Sequence, residues 1–396
     1  MKLDLMFEPD QIVEITRKFV ERGFRLCNGG SVSICDPDGN IYISTQKFDT
    51  INPETRRVIY IDKDDKKYYD IKKASEELPI HRAIYTKRGD INAVCHVFSP
   101  AIAAIGSTTN QNVFNLFPRL NKKAGITHFS EYVKNFNTEQ VNAFVSRFAN
   151  GASNIIVDGT GVYTTGRTVF EAFHKAEMLD HFAKMYLNAN SLGDLMYPAE
   201  KNIEQFNKIE IDFPQYLRGR RNNKEMDSLK IGLIRLALYT YNKNQTTSLL
   251  GSMSIRINKE SYMTVPGNVD KSKLKPEDLV IMKHEKSEAW KLPNDDLKIH
   301  EMILNNNVKI SCVAITFPTS CSVYTLTDKQ LELENVKVAK LPFETIFDLD
   351  QIDKSIKEGN EVMVIENDLI IIVARNMYRM NVIMENLNMT CDEKKS

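Results

Sequence analysis

The chain carries no surplus of either charge: 52 lysines and arginines stand against 52 aspartates and glutamates. Such a balance gives no molecule-wide field to draw in nucleic acid or an anionic membrane. Long apolar runs are missing too. A stretch such as Leu369–Ala374 (LIIIVA) falls far short of the roughly 20 residues a membrane-spanning helix needs. The opening MKLDLMFEP is too acidic and too short in apolar length for a secretory signal, so a cytoplasmic protein is expected. The six cysteines, Cys27, Cys35, Cys95, Cys312, Cys321 and Cys391, include no CxxC pair, and a reduced protein without disulfides is expected. No phosphate-binding GxxxxGK[ST] or GxGxxG loop and no GxSxG nucleophile turn is present.

What is present is ordinary globular composition, 42% hydrophobic and 26% charged over 396 residues, enough for two or three domains. The most informative feature is an internal repeat. The first copy reads Cys27–Ile34 (CNGGSVSI), Ile41–Ser44, Ala74–Tyr85 (ASEELPIHRAIY) and Ile91–Phe98 (INAVCHVF). The second reads Leu250–Arg256 (LGSMSIR), Tyr262–Asp270, Pro293–Leu304 (PNDDLKIHEMIL) and Val308–Phe317 (VKISCVAITF). A repeat sets the domain count before any chemistry is read. The expected division is a first domain over 1–190, a connector over 191–225, a second domain over 226–390 and a polar tail over 391–396.

Periodicity predicts a helix over Asp10–Val20 with Asp10 as N-cap, and a hairpin turning at Asp36–Gly39 (DPDG). Lys72–Tyr85 reads as a loop entering a helix, Ala93–Val97 as a buried strand and Thr138–Phe148 as a helix. Two strands are expected around Asp158–Gly161 (DGTG), then a long helix over Thr168–Leu187. The second copy repeats this order, from a helix over Ser228–Tyr241 to strands at Glu361–Ile365 and Leu369–Val373. The basic cluster Arg218–Lys224 lacks interleaved aromatics and reads as a solvated loop.

This ordered string of glycine-rich turn, hairpin, SEELPIH, AVCH and strand–DG–strand resembles the class II aldolase/adducin family, over about residues 10–190 and more weakly over 226–388. The resemblance implies two tandem α/β/α sandwiches, each around a largely antiparallel sheet. Members of that family include zinc-dependent sugar-phosphate aldolases and the zinc-free head of adducin. Their zinc is held by an H-x-H pair on one strand and a third histidine in an N-H-G turn, with a glutamate as acid/base, and it stabilises an enediolate.

Laid on this chain, those positions are largely lost. In the first copy the glutamate falls on Glu77 and the metal positions on His96, Phe98 and Thr160, leaving one imidazole of three. In the second copy they fall on Ile315, Phe317 and Asp368, with Asp296 at the acid position. Asp296 and Asp368 suit magnesium or calcium, or are two solvated acids near a loop, the reading preferred here. The phosphate pocket falls on Gly30, Ser31, Gln46, Lys47, Ser75 and Glu76, and Glu76 sets a negative charge where a phosphate would sit. His81 is expected to be a structural hydrogen-bonding residue. His174 and His181 share a helix face and are expected to pack or lie at the surface, and nothing in the spacing ties His128 to Glu77 and His96.

The expectation is therefore a non-catalytic aldolase-like pseudoenzyme with no cofactor. It would serve as an oligomeric scaffold or protein-binding module, two chains pairing as a pseudo-tetramer. The alternative is a metal-dependent lyase or dehydratase, using zinc at the first domain on a small hydroxy-carbonyl or sugar-phosphate substrate.

Overall fold

A computed structural model of the chain describes residues 6–25, 30–46, 52–64, 71–108, 113–131, 137–209, 216–217, 224–283, 286–288 and 292–393. Two compact units emerge, the first from residues 1–114 and 120–183, the second from 115–119 and 184–396. Among the described residues no helix is long and apolar enough to cross a membrane.

The first unit begins with α1 (Glu8–Glu21), β1 (Ser31–Cys35), β2 (Ile41–Ser44) and β3 (Val58–Ile61). It continues with α2 (Leu78–Lys87), β4 (Ala93–Val97), α3 (Pro100–Gly106) and β5 (Thr127–Ser130), while α4 (Pro118–Ala124) is divided, Pro118 and Arg119 belonging to the second unit and residues 120–124 to the first. It ends with α5 (Thr138–Ala149), β6 (Asn154–Val157), β7 (Gly161–Gly166) and α6 (Val169–Asn190). Its seven strands run in the order β3-β2-β1-β4-β7-β6-β5. Every pairing is antiparallel except β5 with β6. Helix α1 starts at Glu8 with Pro9 in its first turn, so Asp10 lies inside the helix rather than capping it.

Strand β4 is buried at all five positions, which requires a layer on each face of the sheet. Alternation sorts those positions. Val94 packs with Ile80, Ile84, Phe144 and Phe148 from α2 and α5. On the opposite face Cys95 lies beside Thr164, whose hydroxyl donates to the Ala172 carbonyl of α6 at 2.8 Å. Each fully buried phenylalanine contributes about 2–3 kcal/mol by leaving water.

The second unit adds α7 (Glu200–Asn207), β8 (Tyr216–Leu217), α8 (Lys224–Asn242), β9 (Ser252–Arg256), β10 (Ser261–Thr264), β11 (Val280–Lys283) and β12 (Lys286–Glu288). It continues with α9 (Leu297–Asn306), β13 (Cys312–Thr316), α10 (Ser322–Leu326) and β14 (Val338–Leu341). It closes with α11 (Asp350–Lys357), β15 (Val362–Ile365), β16 (Ile370–Ala374) and α12 (Met377–Glu393). The sheet order is β14-β15-β16-β13-β9-β10-β11-β12-β8. Removing β12 and β8 leaves the strand order of the first unit, with β9 standing for β1, β13 for β4 and β16 for β7. Both units are α/β/α sandwiches around largely antiparallel sheets.

Three expectations change. The 191–225 stretch contains α7 and part of a sheet, because β8 pairs in parallel with β12. Cys321 and Cys391 are joined by a disulfide, so the cysteines are not all free, and Cys391 is buried in α12 rather than starting a loose tail. Their Cα atoms lie 5.4 Å apart, a normal bridging distance that a separation of 70 residues hides from the sequence. Of the basic cluster, residues 218–223 lie outside the described residues, as do Cys27 and Lys47.

Candidate functional site

The site of the first unit is built where β1, β4 and β7 lie side by side and α2 begins. Ser31 pairs with His96 across β1 and β4, and His96 pairs with Tyr163 across β4 and β7. The three side chains therefore share one sheet face, toward α2. Glu77 stands at the N-terminus of α2, Pro79 fixes the first turn, and the Glu77 side chain makes no cap bond of its own. It points instead at the sheet.

Glu77 is buried and fully engaged. His96 Nδ1 lies 2.5 Å from its Oε1, Tyr163 donates its hydroxyl to the same oxygen at 2.9 Å, and Ser31 donates to Oε2. The His96 and Tyr163 rings stack at 4.0 Å. Burial pushes the Glu77 carboxyl up, but His96, with the Ser31 and His96 hydrogen bonds, outweighs it and holds the group below the ordinary carboxylate range. One turn further along, His81 is wholly buried between two serines, with Ser31 Oγ 2.9 Å from Nε2 and Ser33 Oγ 2.6 Å from Nδ1. Ser33 also meets the Tyr85 hydroxyl at 2.6 Å. Burial lowers the His81 pKa to about 4, so the ring is neutral at physiological pH. The expected structural role of His81 fits these bonds.

Phe98 follows β4 two residues after His96. Its Cα lies 2.9 Å from where a Cβ on Gly161 would stand, which places the turn containing Thr160 beside it. Gly161 itself has φ +113° and would press a Cβ to 2.1 Å from the Val97 carbonyl, so only glycine fits there. His96, Phe98 and Thr160 thus lie at one end of the sheet. His96 Nε2 and Thr160 Oγ1 are buried without a hydrogen-bond partner.

This donor set does not fit a catalytic zinc, which takes three protein ligands. Phe98 has no donor atom, Thr160 has only a neutral hydroxyl, and Glu77 grips His96 through Nδ1, the arrangement of a group that orients an imidazole. Among the described residues no cluster of three or more His, Cys, Asp or Glu side chains is placed to hold a metal ion.

Of the residues expected to form the phosphate pocket, all but Lys47 lie among the described residues. Gly30 precedes β1, and Ser31 is committed to Glu77 and His81. Ser75 is buried, with its hydroxyl accepting from the Glu77 amide at 3.3 Å, while Glu76 and Gln46 are exposed. His174 and His181 are both buried and pack, and His128 lies on β5, at the far edge of the sheet from β3.

The second unit repeats the serine–histidine pair and then departs. Ser252 Oγ lies 2.8 Å from His300 Nε2 and donates to Asp296 Oδ2 at 3.1 Å. His300 is wholly buried, and burial lowers its pKa to about 4. Ile315 and Ile371 face each other where His96 and Tyr163 stand in the first unit. Asp296 and Asp368 are not the solvated acids expected; both are buried. A buried carboxylate pair requires a cation, and Arg119 supplies it. Its Nε and Nη2 donate to the two oxygens of Asp368 at 2.6 Å each, and Nη1 donates to Asp296 Oδ1 at 2.9 Å. The guanidinium carbon lies 5.4 Å from the Phe206 ring centre and 5.7 Å from that of Phe317. Burial works against the charge on Arg119, but Asp368 and Asp296 outweigh it and raise its pKa above the ordinary arginine value.

The sequence matches the family described as Class II Aldolase and Adducin N-terminal domain over residues 10–187 and 232–393. An L-fuculose phosphate aldolase of Methanocaldococcus jannaschii is 28% identical over 186 residues, 45% of this chain and 94% of that protein. A 5-deoxy-D-ribulose 1-phosphate aldolase of Bacillus thuringiensis is 24% identical over 205 residues, 52% of this chain and 95% of that protein. Among solved structures, an aldolase II superfamily protein from Pseudomonas syringae matches with a TM-score of 0.43 and 18% identity, covering 60% of this chain and 97% of that one.

Proposed function

We propose, starting from a chain that belongs to the class II aldolase and adducin N-terminal domain family in both of its halves, that it is a non-catalytic member. In this reading it is a pseudoenzyme without a bound cofactor, acting in the cytoplasm as an oligomeric scaffold or protein-binding module. Its partners would be proteins, including a second copy with which it completes a pseudo-tetramer. One observation carries the proposal. The family's acid/base carboxylate position is spoken for in both units, Glu77 by His96, Tyr163 and Ser31, and Asp296 by Arg119 and Ser252. A carboxylate held by several donors is a poor proton acceptor, because its ionised form is already stabilised. With Phe98, Thr160, Ile315 and Phe317 at metal positions, the Lewis acid of the family reaction has no cage.

The test joins elemental analysis to light scattering on protein from zinc-supplemented medium. Zinc far below one per chain and a mass of two or more chains support the proposal. One zinc per chain, lost in His96→Ala, overturns it. A second reading draws on His96 Nε2, a buried imidazole nitrogen without a partner. It is a lyase or dehydratase at the first unit, with His96 and Glu77 as its core, acting on a small hydroxy-carbonyl or sugar-phosphate like those named for the relatives. Zinc-dependent turnover of L-fuculose 1-phosphate, abolished in Glu77→Gln, would establish it.

A further inference from the structure

The first-unit site contains a chain of polar groups whose hydrogens can be placed by elimination. Glu77 is held as a carboxylate, and a carboxylate has no proton to give. Ser31 therefore donates to Glu77 Oε2, and the same hydroxyl oxygen must accept from His81 Nε2, 2.9 Å away. The buried His81 ring is neutral, so with its proton on Nε2 it bears a lone pair on Nδ1. Ser33 donates to that lone pair at 2.6 Å, and the Ser33 oxygen accepts from the Tyr85 hydroxyl at 2.6 Å. On the other side of the carboxylate, Oε1 accepts from Tyr163 and from His96 Nδ1. Every donor from Tyr85 inward thus points at one charge. The second unit supplies the contrast. Ser252 likewise donates to Asp296 and faces His300 Nε2, but there the chain stops, with His300 Nδ1 and Ser254 Oγ buried without a partner. Leu304 stands where Tyr85 would, four residues past the histidine, and Ile315 pairs with Ser252 as His96 pairs with Ser31. The unit that keeps the imidazole keeps the whole chain, and the unit without it has lost the outer half.

We propose that Ser31, His81, Ser33 and Tyr85 are positioning residues for His96: a one-way chain of donors that keeps Glu77 an acceptor, fixes His96 as its Nδ1–H tautomer and so presents His96 Nε2 as a lone pair. That nitrogen is buried and has no partner among the described residues. A molecule seated against it must bring the proton. The place therefore suits a hydroxyl or ammonium group and disfavours a carboxylate or phosphate oxygen, which would set lone pair against lone pair. The polarity of the chain is set by charge, since serine, histidine and tyrosine can each give or take in either direction. It is therefore reversible. In Glu77→Gln, His96 and Tyr163 still aim two protons at one end of the side chain, which selects the amide oxygen there and turns the amide nitrogen to Ser31. Ser31 then donates to His81, His81 to Ser33 and Ser33 to Tyr85. The inference goes beyond both functional readings. Zinc content and turnover decide between those, whereas the place of the proton on each ring decides this one.

The experiment labels the histidine rings of the full chain with nitrogen-15 and reads two-bond nitrogen–proton correlations at about pH 8. The Nδ1–H tautomer, the Nε2–H tautomer and the imidazolium give different patterns there. His81→Gln and His96→Gln assign the two rings by the pattern each removes. In wild type, His81 should be Nε2–H and His96 should be Nδ1–H. Glu77→Gln should convert His81 to Nδ1–H and leave His96 unchanged. Adding Ser33→Ala to Glu77→Gln should return His81 to Nε2–H, because a proton on Nδ1 would then be buried without an acceptor. A purely structural chain predicts lower stability in these variants and no exchange of tautomer. His81 as Nδ1–H in wild type, His96 as Nε2–H or as an imidazolium, or an unchanged His81 in folded Glu77→Gln overturns the proposal, as does an exchange that survives Ser33→Ala. Should Glu77→Gln not fold, the wild-type pattern decides by itself.

Discussion

Acidification from pH 6.5 to 4.5 is expected to destabilise this protein through two histidines that never meet solvent. His81 and His300 are both 0% exposed, and burial holds each pKa at about 4 against an ordinary 6.5. The unfolded chain takes up these protons as pH falls through 6.5, while the folded chain refuses them until about 4. The stabilisation is therefore fully present above pH 6.5 and is lost progressively as pH falls toward 4. The unfolded group is only half protonated at pH 6.5 and the folded one begins to titrate at about 4.5, so each histidine withdraws about 2 kcal/mol over the two units considered, less than the full slope of about 1.4 kcal/mol per pH unit. Urea unfolding followed by circular dichroism, at half-unit steps from pH 7.5 to 4.5, measures the slope. His81→Gln keeps one hydrogen-bond donor and one acceptor for Ser31 and Ser33 but cannot titrate. It should lower stability at pH 7.5 by about 1–2 kcal/mol while removing about half of the acid-induced loss. A curve for His81→Gln that runs parallel to wild type down to pH 4.5 would refute the reasoning.

Other outcomes follow from single sites. Gly161→Ala should cost several kcal/mol in chemical denaturation, because the new Cβ would meet the Val97 carbonyl at 2.1 Å in a backbone of φ +113°. Equal stability of this variant would mean the β4–β7 register is wrong. Reduction of the Cys321–Cys391 bridge, or Cys321→Ser, should lower stability by about 4 kcal/mol on chain-entropy grounds, since the bridge closes a loop spanning 70 residues. An unchanged melting midpoint under reductant would remove the bridge from the stability of the second unit.

The fold was legible because its signals are local. Alternation in SVSI and SMSI, the DPDG turn and the apolar face of Thr138–Phe148 each report on neighbours a few residues away. So does the repeat, which compares short strings in a fixed order. Phe98 and Thr160 could be placed beside His96 because strand pairing converts a motif into a register. The charge partners could not. Arg119 reaches Asp368 across 249 residues of chain, and nothing in the string around Arg119 marks it as a ligand. Asp296 and Asp368 read as exposed for the same reason: acids are usually solvated unless an unseen cation pulls them inside. Tyr163 escaped notice because a strand tyrosine is commonly packing, and its hydroxyl gains meaning only once Glu77 stands 2.9 Å away. One signal was available. Ser31 and Ser252 hold equivalent positions in the two strings, as do His81 and His300, and together they foretell a hydrogen bond made twice.

That twice-made bond has a wider consequence. A chain holding two descendants of one unit carries its own two-row comparison, in which each half is a control for the other. Where the halves agree, at the serine on the first sheet strand and the histidine one helical turn past the acid, the architecture dictates the residue whatever the chemistry. Where they part, at His96 against Ile315 and Thr160 against Asp368, the architecture is indifferent and occupation is free to change. Searches for remote kin of such proteins should therefore weight the strut that ties helix to sheet above the positions held by His96 and Thr160.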